Sequence, residues 1–115
     1  MTEKRRVGDL GEEIIARYLE KNSFKILARN YSKPYGEIDI IAIKNDVISF
    51  VEVKSRKSIK FGYPREAVNY YKQQRIIRAS QSYLLENDLT GYIIRFDVAE
   101  VFTEDRKINY IENAF

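Results

Sequence analysis

The spacing of apolar residues along the chain alternates between two periods, one typical of helices and one typical of strands. Helical spacing covers about residues 7–21 and 65–87, whereas β-branched and aromatic runs cover residues 24–31, 36–56, 92–102 and 107–111. With a turn inside the longest run, the predicted order is α-β-β-β-α-β-β. This order favours an α/β fold in which helices flank a mixed β-sheet. No repeat or linker interrupts the 115 residues, so we expect a single domain spanning residues 1–115.

The central run, residues 36–56, is predicted to form a β-hairpin, with a loop over residues 55–63 beginning at the end of its second strand. It reads GEIDIIAIKNDVISFVEVKSR, and Asn45 and Asp46 interrupt its apolar pattern as turn residues do. With these two residues as the turn, Asp39 is placed opposite Glu52. Side chains alternate along a strand, so one face should carry Glu37, Asp39, Ile41, Ile43, Ile48, Phe50, Glu52 and Lys54, and the other Ile38, Ile40, Ala42, Ser49, Val51 and Val53. A three-residue loop would instead shift the pairing by one and separate the two acids.

Two carboxylates facing each other at the open end of this hairpin require a compensating charge. Directly opposed β-carbons lie about 4.5 to 5.5 Å apart, and like charges at that separation destabilise the pair. A hard cation held by Asp39, Glu52 and the backbone carbonyl of Val53, or a proton shared by the carboxylates, would relieve the repulsion and create a site. Lys54 could act on such a site by orienting a water or offsetting transition-state charge, or could merely neutralise part of the repulsion.

Other polar residues have a structural interpretation from their spacing alone. Glu12 lies at the edge of the apolar stripe of the first helix, where an acid near the helix N-terminus is ordinary. Gly8 and Gly11 in the same helix indicate either a close backbone contact or a frayed start. Arg95 and Asp97 share one face of the strand at residues 92–102, which predicts an ion pair.

The composition restricts the chemistry that such a site can use. The chain has no cysteine and no histidine, so any metal must be held by oxygen, which points to magnesium, manganese or calcium. The net charge of +3 and the pI of about 9.1 are mildly basic and suit a polyanionic partner, although each basic residue singly could be solvated surface. The N-terminal residues show no signal-peptide pattern and no stretch approaches membrane-spanning length, so we expect a cytoplasmic protein with no membrane partner.

The hairpin motif, Asp39 with Glu52-Val53-Lys54, is accompanied by other residue combinations across nearly the whole chain. These are Gly8, Gly11 and Glu12, Arg29-Asn30, Gly36-Glu37-Ile38-Asp39, Phe50 to Arg56, Phe61-Gly62, Lys72 with Arg75, Arg95-Phe96-Asp97 and Asn113-Ala114-Phe115. In them the chain resembles the PD-(D/E)xK nuclease superfamily, and within it the YraN family of small bacterial proteins, which are similar to archaeal Holliday junction resolvases. The proline of the motif name is absent, because Ile38 precedes Asp39.

This resemblance implies a restriction-endonuclease-like fold and assigns roles to single residues. It implies that Asp39 and Glu52 are ligands of Mg²⁺ or Mn²⁺, that Glu12 completes the site, and that Lys54 is the catalytic lysine. It places Lys72 where the superfamily often has a polar or basic helper on the second helix. Resolvases of similar fold act as symmetric dimers, so a homodimer is compatible with the resemblance, although no dimer face stands out in the sequence.

We therefore carry three hypotheses. The first is a magnesium-dependent endonuclease that hydrolyses phosphodiester bonds of DNA, including branched or Holliday-junction DNA. The second is a non-catalytic nucleic-acid binding module with the same fold, and the third is a purely structural cluster of ion pairs. In the first two, the basic residues after the hairpin and on the second helix would contact backbone phosphates; these are Arg56, Lys57, Lys60, Lys72 and Arg75.

Overall fold

The computed structural model describes residues 2–58 and 68–115, and those ranges contain two helices and five strands in the predicted order. The elements are α1 (Glu3–Lys21), β1 (Lys25–Lys33), β2 (Gly36–Lys44), β3 (Val47–Arg56), α2 (Tyr70–Glu86), β4 (Ile93–Phe102) and β5 (Lys107–Ile111). In the described ranges, neither helix has the length and apolar character needed to cross a membrane.

The five strands form one mixed sheet in the order β1-β2-β3-β4-β5. The pairs β1–β2, β2–β3 and β4–β5 are antiparallel, whereas β3 and β4 run parallel. A parallel pair requires a crossover connection, and the chain between β3 and β4 contains α2. The predicted α/β class with a mixed sheet is thereby confirmed, and the arrangement is compatible with a nuclease-like fold.

Each helix covers a different face of the sheet. Alternate residues of β2 and β3 point to opposite faces, so each strand contributes to both cores. The core under α1 contains Ile14, Ile15, Ala16, Leu19, Ile40, Ala42, Val51, Ala99 and Val101. The core under α2 contains Ile38, Ile41, Ile48, Phe50, Val68, Ile76, Ala79 and Tyr83. Two apolar layers around one sheet fix the positions of both helices relative to the hairpin.

Both helices differ from their predicted starts. α1 begins at Glu3 rather than near Val7, because the Thr2 side chain caps it and its first turn is exposed, where no apolar period marks it. α2 begins at Tyr70 rather than near residue 65, with Asn69 as its N-cap. The predicted helical residues 65–67, including the turn after Pro64, lie outside the described residues.

The end of the hairpin also differs from its prediction. β3 continues through Arg56, so Ser55 and Arg56 belong to the strand rather than to a loop. Pairing with β4 explains the extension, since Arg56 has Phe102 as its partner. Because this pairing joins segments far apart in sequence, the pattern of β3 alone did not predict it.

The predicted ion pair of Arg95 and Asp97 is confirmed and is part of a larger contact. The Asp97 carboxylate is fully buried and accepts hydrogen bonds from Arg95 Nε at 3.0 Å, Tyr110 Oη at 2.6 Å and the Asn113 backbone N–H at 3.0 Å. A few residues further on, the Phe115 ring stacks on Phe96 at 5.3 Å between centroids. Asp97 therefore fastens β5 and the following tail to β4.

We predict that Asp97→Asn lowers the free energy of unfolding by about 2 to 4 kcal/mol, because the Arg95 charge then loses its buried partner. Tyr110→Phe should cost about 1 to 2 kcal/mol through one lost hydrogen bond. Urea denaturation followed by circular dichroism measures both. Glu112→Gln is the matched control, since Glu112 pairs with Arg95 from the surface and its side chain is 65% exposed. A cost for Asp97→Asn no larger than that of the control would contradict this role.

Candidate functional site

The predicted register of the hairpin is confirmed, but its ladder is shorter than expected. Ile43 pairs with Ile48 and Ile41 with Phe50 around the two-residue turn. The ladder then stops at the pair of Ile40 and Val51, one step before the two acids. The predicted backbone pairing of Asp39 with Glu52, and of Glu37 with Lys54, is therefore not formed.

Beyond the last pair the sheet divides into two arms. β2 stays paired with β1 down to Gly36, and β3 stays paired with β4 up to Arg56. Asp39 and Glu52 are the first residues on each side of this division, which we call the fork. The Asp39 carboxylate enters the gap and accepts a hydrogen bond from the Val53 backbone N–H at 2.8 Å. The side chain thus replaces a strand partner for a backbone donor that the fork leaves without one.

The two acids meet through their side chains at the fork. Burial, a hydrogen bond with Glu52 and the Glu52 charge together raise the pKa of Asp39 far above its usual range, while the bond from Val53 lowers it only in part. The Glu52 side chain is only 11% exposed. Two buried carboxylates in contact share a proton unless a cation replaces it, which is the charge problem anticipated from the sequence.

The strand alternation changes at the same level of the sheet. Ile38 was predicted to share a face with Ile40, yet it packs under α2 with Ile41, whereas Ile40 packs under α1. On the neighbouring strand, Asn30 lies between the residues that pair with Ile38 and Ile40 and has a left-handed φ of 52°. Such a residue redirects a strand, and asparagine is among the few that adopt this backbone readily. The predicted position of Ile38 is therefore wrong.

A cleft of about 650 Å³ opens from the fork toward α1. Its lining includes Glu12, Asp39, Glu52 and Val53. α1 lies so close to β3 here that a Cβ added to Gly11 would be only 1.9 Å from the Ser55 Oγ atom. Two explanations were predicted for the helix glycines, a close backbone contact or a frayed start. The close contact is the one that applies to Gly11.

Glu12 lies in the lining of the same cleft as the two acids. Burial raises the pKa of Glu12, and Arg29 together with a side-chain hydrogen bond from Asn30 offsets part of that rise. In residues 2–58 and 68–115, no three acidic, histidine or cysteine side chains converge as a metal cluster. The structure thus brings Asp39 and Glu52 into contact and places Glu12 in the lining of the same cleft.

The two lysines of the predicted site lie on the α2 side of the fork. Lys72 Nζ is 3.3 Å from Glu52 Oε2, and Lys72 also interacts with Lys54. Burial lowers the pKa of Lys72, but the neighbouring carboxylates outweigh this effect and the pKa lies above its usual range. Lys72 therefore carries a positive charge directly against one of the two acids.

The predicted phosphate-contacting residues divide between two sides of the molecule. Arg56 and Lys57 line the cleft at the fork. Lys72 and Arg75 instead line a second cavity, of about 400 Å³, at the start of α2. Lys60 lies outside the described residues.

The second cavity contains two residues that the sequence analysis did not select, Lys33 and Tyr71. At the edge of this cavity β2 lies so close to α2 that a Cβ added to Gly36 would be only 2.4 Å from the Arg75 carbonyl oxygen. The run Tyr70-Tyr71-Lys72 at the start of a helix was an available indication, since aromatic and basic residues are adjacent there.

With this geometry established, comparison with known proteins identifies the family. A family model described as "Uncharacterised protein family UPF0102" matches residues 11–101, a range that contains Glu12, Asp39, Glu52, Lys54 and Lys72. The chain belongs to the UPF0102 (YraN) family. The resemblance to the YraN family found in the sequence motifs is thereby confirmed.

Similarity to members of the UPF0102 family extends over almost the entire chain. A UPF0102 protein of Alkaliphilus metalliredigens is 51% identical over 110 residues, covering 95% of this chain and 96% of the relative. One from Clostridioides difficile is 50% identical over 108 residues, covering 94% and 95%. One from Caldanaerobacter subterraneus is 44% identical over 117 residues, covering 97% and 96%.

We predict that Asp39→Asn stabilises this UPF0102 protein at neutral pH in metal-free buffer. The folded pKa of Asp39 is raised, so its contribution is fully present below the unfolded pKa and is lost as pH rises toward the folded pKa. Asparagine resembles the protonated acid, since it can donate to Glu52 and accept from Val53 without titrating. The variant should equal wild type near pH 4 and exceed it by about 1 to 3 kcal/mol near pH 8.

Urea denaturation with a chelator present, at several values between about pH 4 and pH 8, measures this difference. Asp9→Asn is the control, because Asp9 is exposed on α1 and should give no such trend. A loss of stability in Asp39→Asn that is constant with pH would contradict the interpretation.

Proposed function

We propose that this protein is a divalent-cation-dependent endonuclease that hydrolyses phosphodiester bonds of DNA. The observation that carries the proposal is the contact of Asp39 with Glu52 at the fork, with Lys54 two residues further along the same strand and an open cleft beside the acids. A fold that required only stability would keep the ladder closed and would not bury two acids together.

The donor set fits a hard cation. The carboxylates of Asp39 and Glu52 are oxygen donors that Mg²⁺ or Mn²⁺ prefers, and the chain has neither histidine nor cysteine to attract softer metals. Two protein carboxylates are a usual number for Mg²⁺, which keeps several waters and also takes substrate phosphate oxygens. When bound, such a cation supplies electrostatic polarisation of the phosphate.

The residues of the chain then have separate tasks. Asp39 is held in position by the hydrogen bond from the Val53 N–H, and its carboxylate is also hydrogen-bonded with Glu52. Lys54 would neutralise charge that develops on the phosphate, and Lys72 would adjust the charge of Glu52 through their ion pair. Glu12, which lines the same cleft, would orient a water molecule there.

The basic residues at the rim suit a polyanion. Arg56 and Lys57 line the cleft next to the acids, and phosphate contacts by such residues position a DNA strand without reading its sequence. This arrangement supports DNA as substrate, and the resemblance to resolvases extends the proposal to branched forms such as Holliday junctions. Action on a junction would further require a homodimer, because a junction presents two equivalent strands.

A second function, a DNA-binding module without catalysis, is favoured by one specific observation. Lys72 already neutralises Glu52 within the protein, with 3.3 Å between Nζ and Oε2. In that case Lys72 takes the place of the cation, and Asp39 remains protonated. Binding of a divalent cation at the two acids distinguishes the two functions, because only the nuclease requires it.

We predict that the wild-type protein cleaves DNA only with Mg²⁺ or Mn²⁺, and that Glu52→Gln and Asp39→Asn each reduce the rate by about 100-fold or more. Gel assays on linear, flapped and four-way DNA measure cleavage. Lys25→Gln is the matched control, because Lys25 is exposed and pairs with Ile43 near the hairpin turn, at the far end of the sheet. Equal activity of wild type and Glu52→Gln would end the proposal.

Calorimetric titration with Mn²⁺ provides an independent prediction. Wild type should bind the ion, Asp39→Asn should not, and Lys72→Gln should bind it more tightly because Glu52 is then released from its lysine. DNA binding that is salt-sensitive, indifferent to the ion and unchanged in Asp39→Asn would favour the non-catalytic module instead.

A further inference from the structure

The second cavity has the composition of a nucleotide site rather than of a duplex groove. We name it the α2 pocket and define it by its lining residues, which are Lys33, Gly36, Glu37, Asn69, Tyr71, Lys72, Arg75 and Ile76. Its volume of about 400 Å³ lies toward the lower end of the usual range for small-molecule pockets, about 300 to 1,000 Å³. A space of this size suits one nucleotide and is too small for a base-paired helix.

The pocket contains flat groups on which a base can stack. The Tyr71 ring is 71% exposed although it lies at the start of a helix, and the Arg75 guanidinium lies 5.7 Å from its centroid. Arg75 Nη1 is 3.5 Å from the Tyr71 hydroxyl, so the two side chains support each other. Next to them, Tyr70 is 75% exposed. Exposed tyrosines beside arginine are the usual platform for unpaired bases.

Charge complementarity indicates the occupant. Three cationic side chains, Lys33, Lys72 and Arg75, line the pocket together with one acid, Glu37. Lys33 is held by Glu86, and Lys72 by Glu52. The positive groups would face a phosphate, and Glu37 could accept a hydrogen bond from a base amino group. An anion with a flat aromatic part, which is what a nucleotide is, satisfies both halves of the pocket.

One side chain, that of Lys72, connects the α2 pocket to the two acids at the fork. Lys72 lines the pocket, and its Nζ atom lies 3.3 Å from Glu52 Oε2. A strand whose base occupies the pocket would therefore pass its next phosphates over Lys72 toward the fork. A base that remains stacked in duplex DNA cannot enter such a site without being extruded.

We propose that the α2 pocket binds one unpaired nucleotide, with Tyr71 and Arg75 stacking on its base. The proposal rests on the proposed nuclease function for its choice of DNA. It narrows the substrate class to strands with unpaired bases beside the scissile phosphate, such as single strands and flaps. Tyr71 then selects which DNA structures the protein binds and is not a catalytic residue.

Fluorescence anisotropy in the presence of a chelator tests the proposal without chemistry. The probes are a labelled oligothymidylate of about 20 nucleotides and a duplex of the same length. Wild type should bind the single strand at least about 5-fold more tightly than the duplex. Tyr71→Ala should weaken single-strand binding by about 5- to 100-fold and leave duplex binding unchanged, because base stacking on an aromatic ring contributes about 1 to 3 kcal/mol.

Three further variants make the test specific. Tyr71→Phe should retain binding within about 2-fold, since the ring and not the hydroxyl does the stacking. Arg75→Lys should weaken single-strand binding while keeping the charge. Tyr92→Ala is the matched control, because Tyr92 is a 37% exposed tyrosine just before β4, at the hairpin-turn end of the sheet, and should have no effect. Circular dichroism confirms that each variant is folded.

Equal or tighter binding of the duplex, or an unchanged affinity in Tyr71→Ala, would overturn the assignment of the pocket. This failure differs from failure of the nuclease proposal. If Tyr71→Ala cuts and binds like wild type while Glu52→Gln is inactive, the nuclease stands and the pocket does not. If single strands are bound through Tyr71 but no DNA is cut, the pocket stands and the nuclease does not.

Discussion

The division of the sheet between β2 and β3 is the constraint on which the candidate site depends. While the ladder is closed, from the hairpin turn to Ile40 and Val51, the two strands bury apolar side chains on both faces. Where it opens, backbone donors and acceptors lose their partners and must find others. Asp39 meets that requirement by accepting from the Val53 N–H, and the same carboxylate is hydrogen-bonded with Glu52. The site is thus a consequence of how the fork is satisfied.

The surrounding elements hold the fork open from outside. Each arm remains bonded to its outer neighbour, β2 to β1 and β3 to β4, which fixes the outer side of each arm. α1 approaches β3 at Gly11, and α2 approaches β2 at Gly36, in both cases more closely than a Cβ would allow. Asp97 fixes the outer edge by joining β4 to the tail. The two acids therefore lie on rigid elements, which is what a preorganised site requires.

Much of this arrangement was predictable, because local patterns specify local pairing. The turn at Asn45 and Asp46 set the register of the hairpin, and the alternation beyond it identified Asp39 and Glu52 as neighbours. Prediction failed where the conformation of a residue depends on a partner far away in the sequence. Ile38 changes face because Asn30, on another strand, adopts a left-handed backbone, and Arg56 stays in a strand because Phe102 pairs with it. The start of α1 was not predicted correctly, because its exposed first turn shows no apolar period.

The sequence by itself determined the order of elements, the hairpin register, the family and the absence of any thiol or imidazole ligand. These follow from chemistry within a few residues or from composition, which folding does not alter. Only the tertiary structure decided that the ladder opens at the acids, that the Glu12 side chain is hydrogen-bonded with Asn30, and that Lys72 touches Glu52. It alone also placed Tyr71 and Lys33 in one pocket. Those contacts join segments far apart in the chain, and their distances depend on how helices pack on the sheet, which no local pattern encodes.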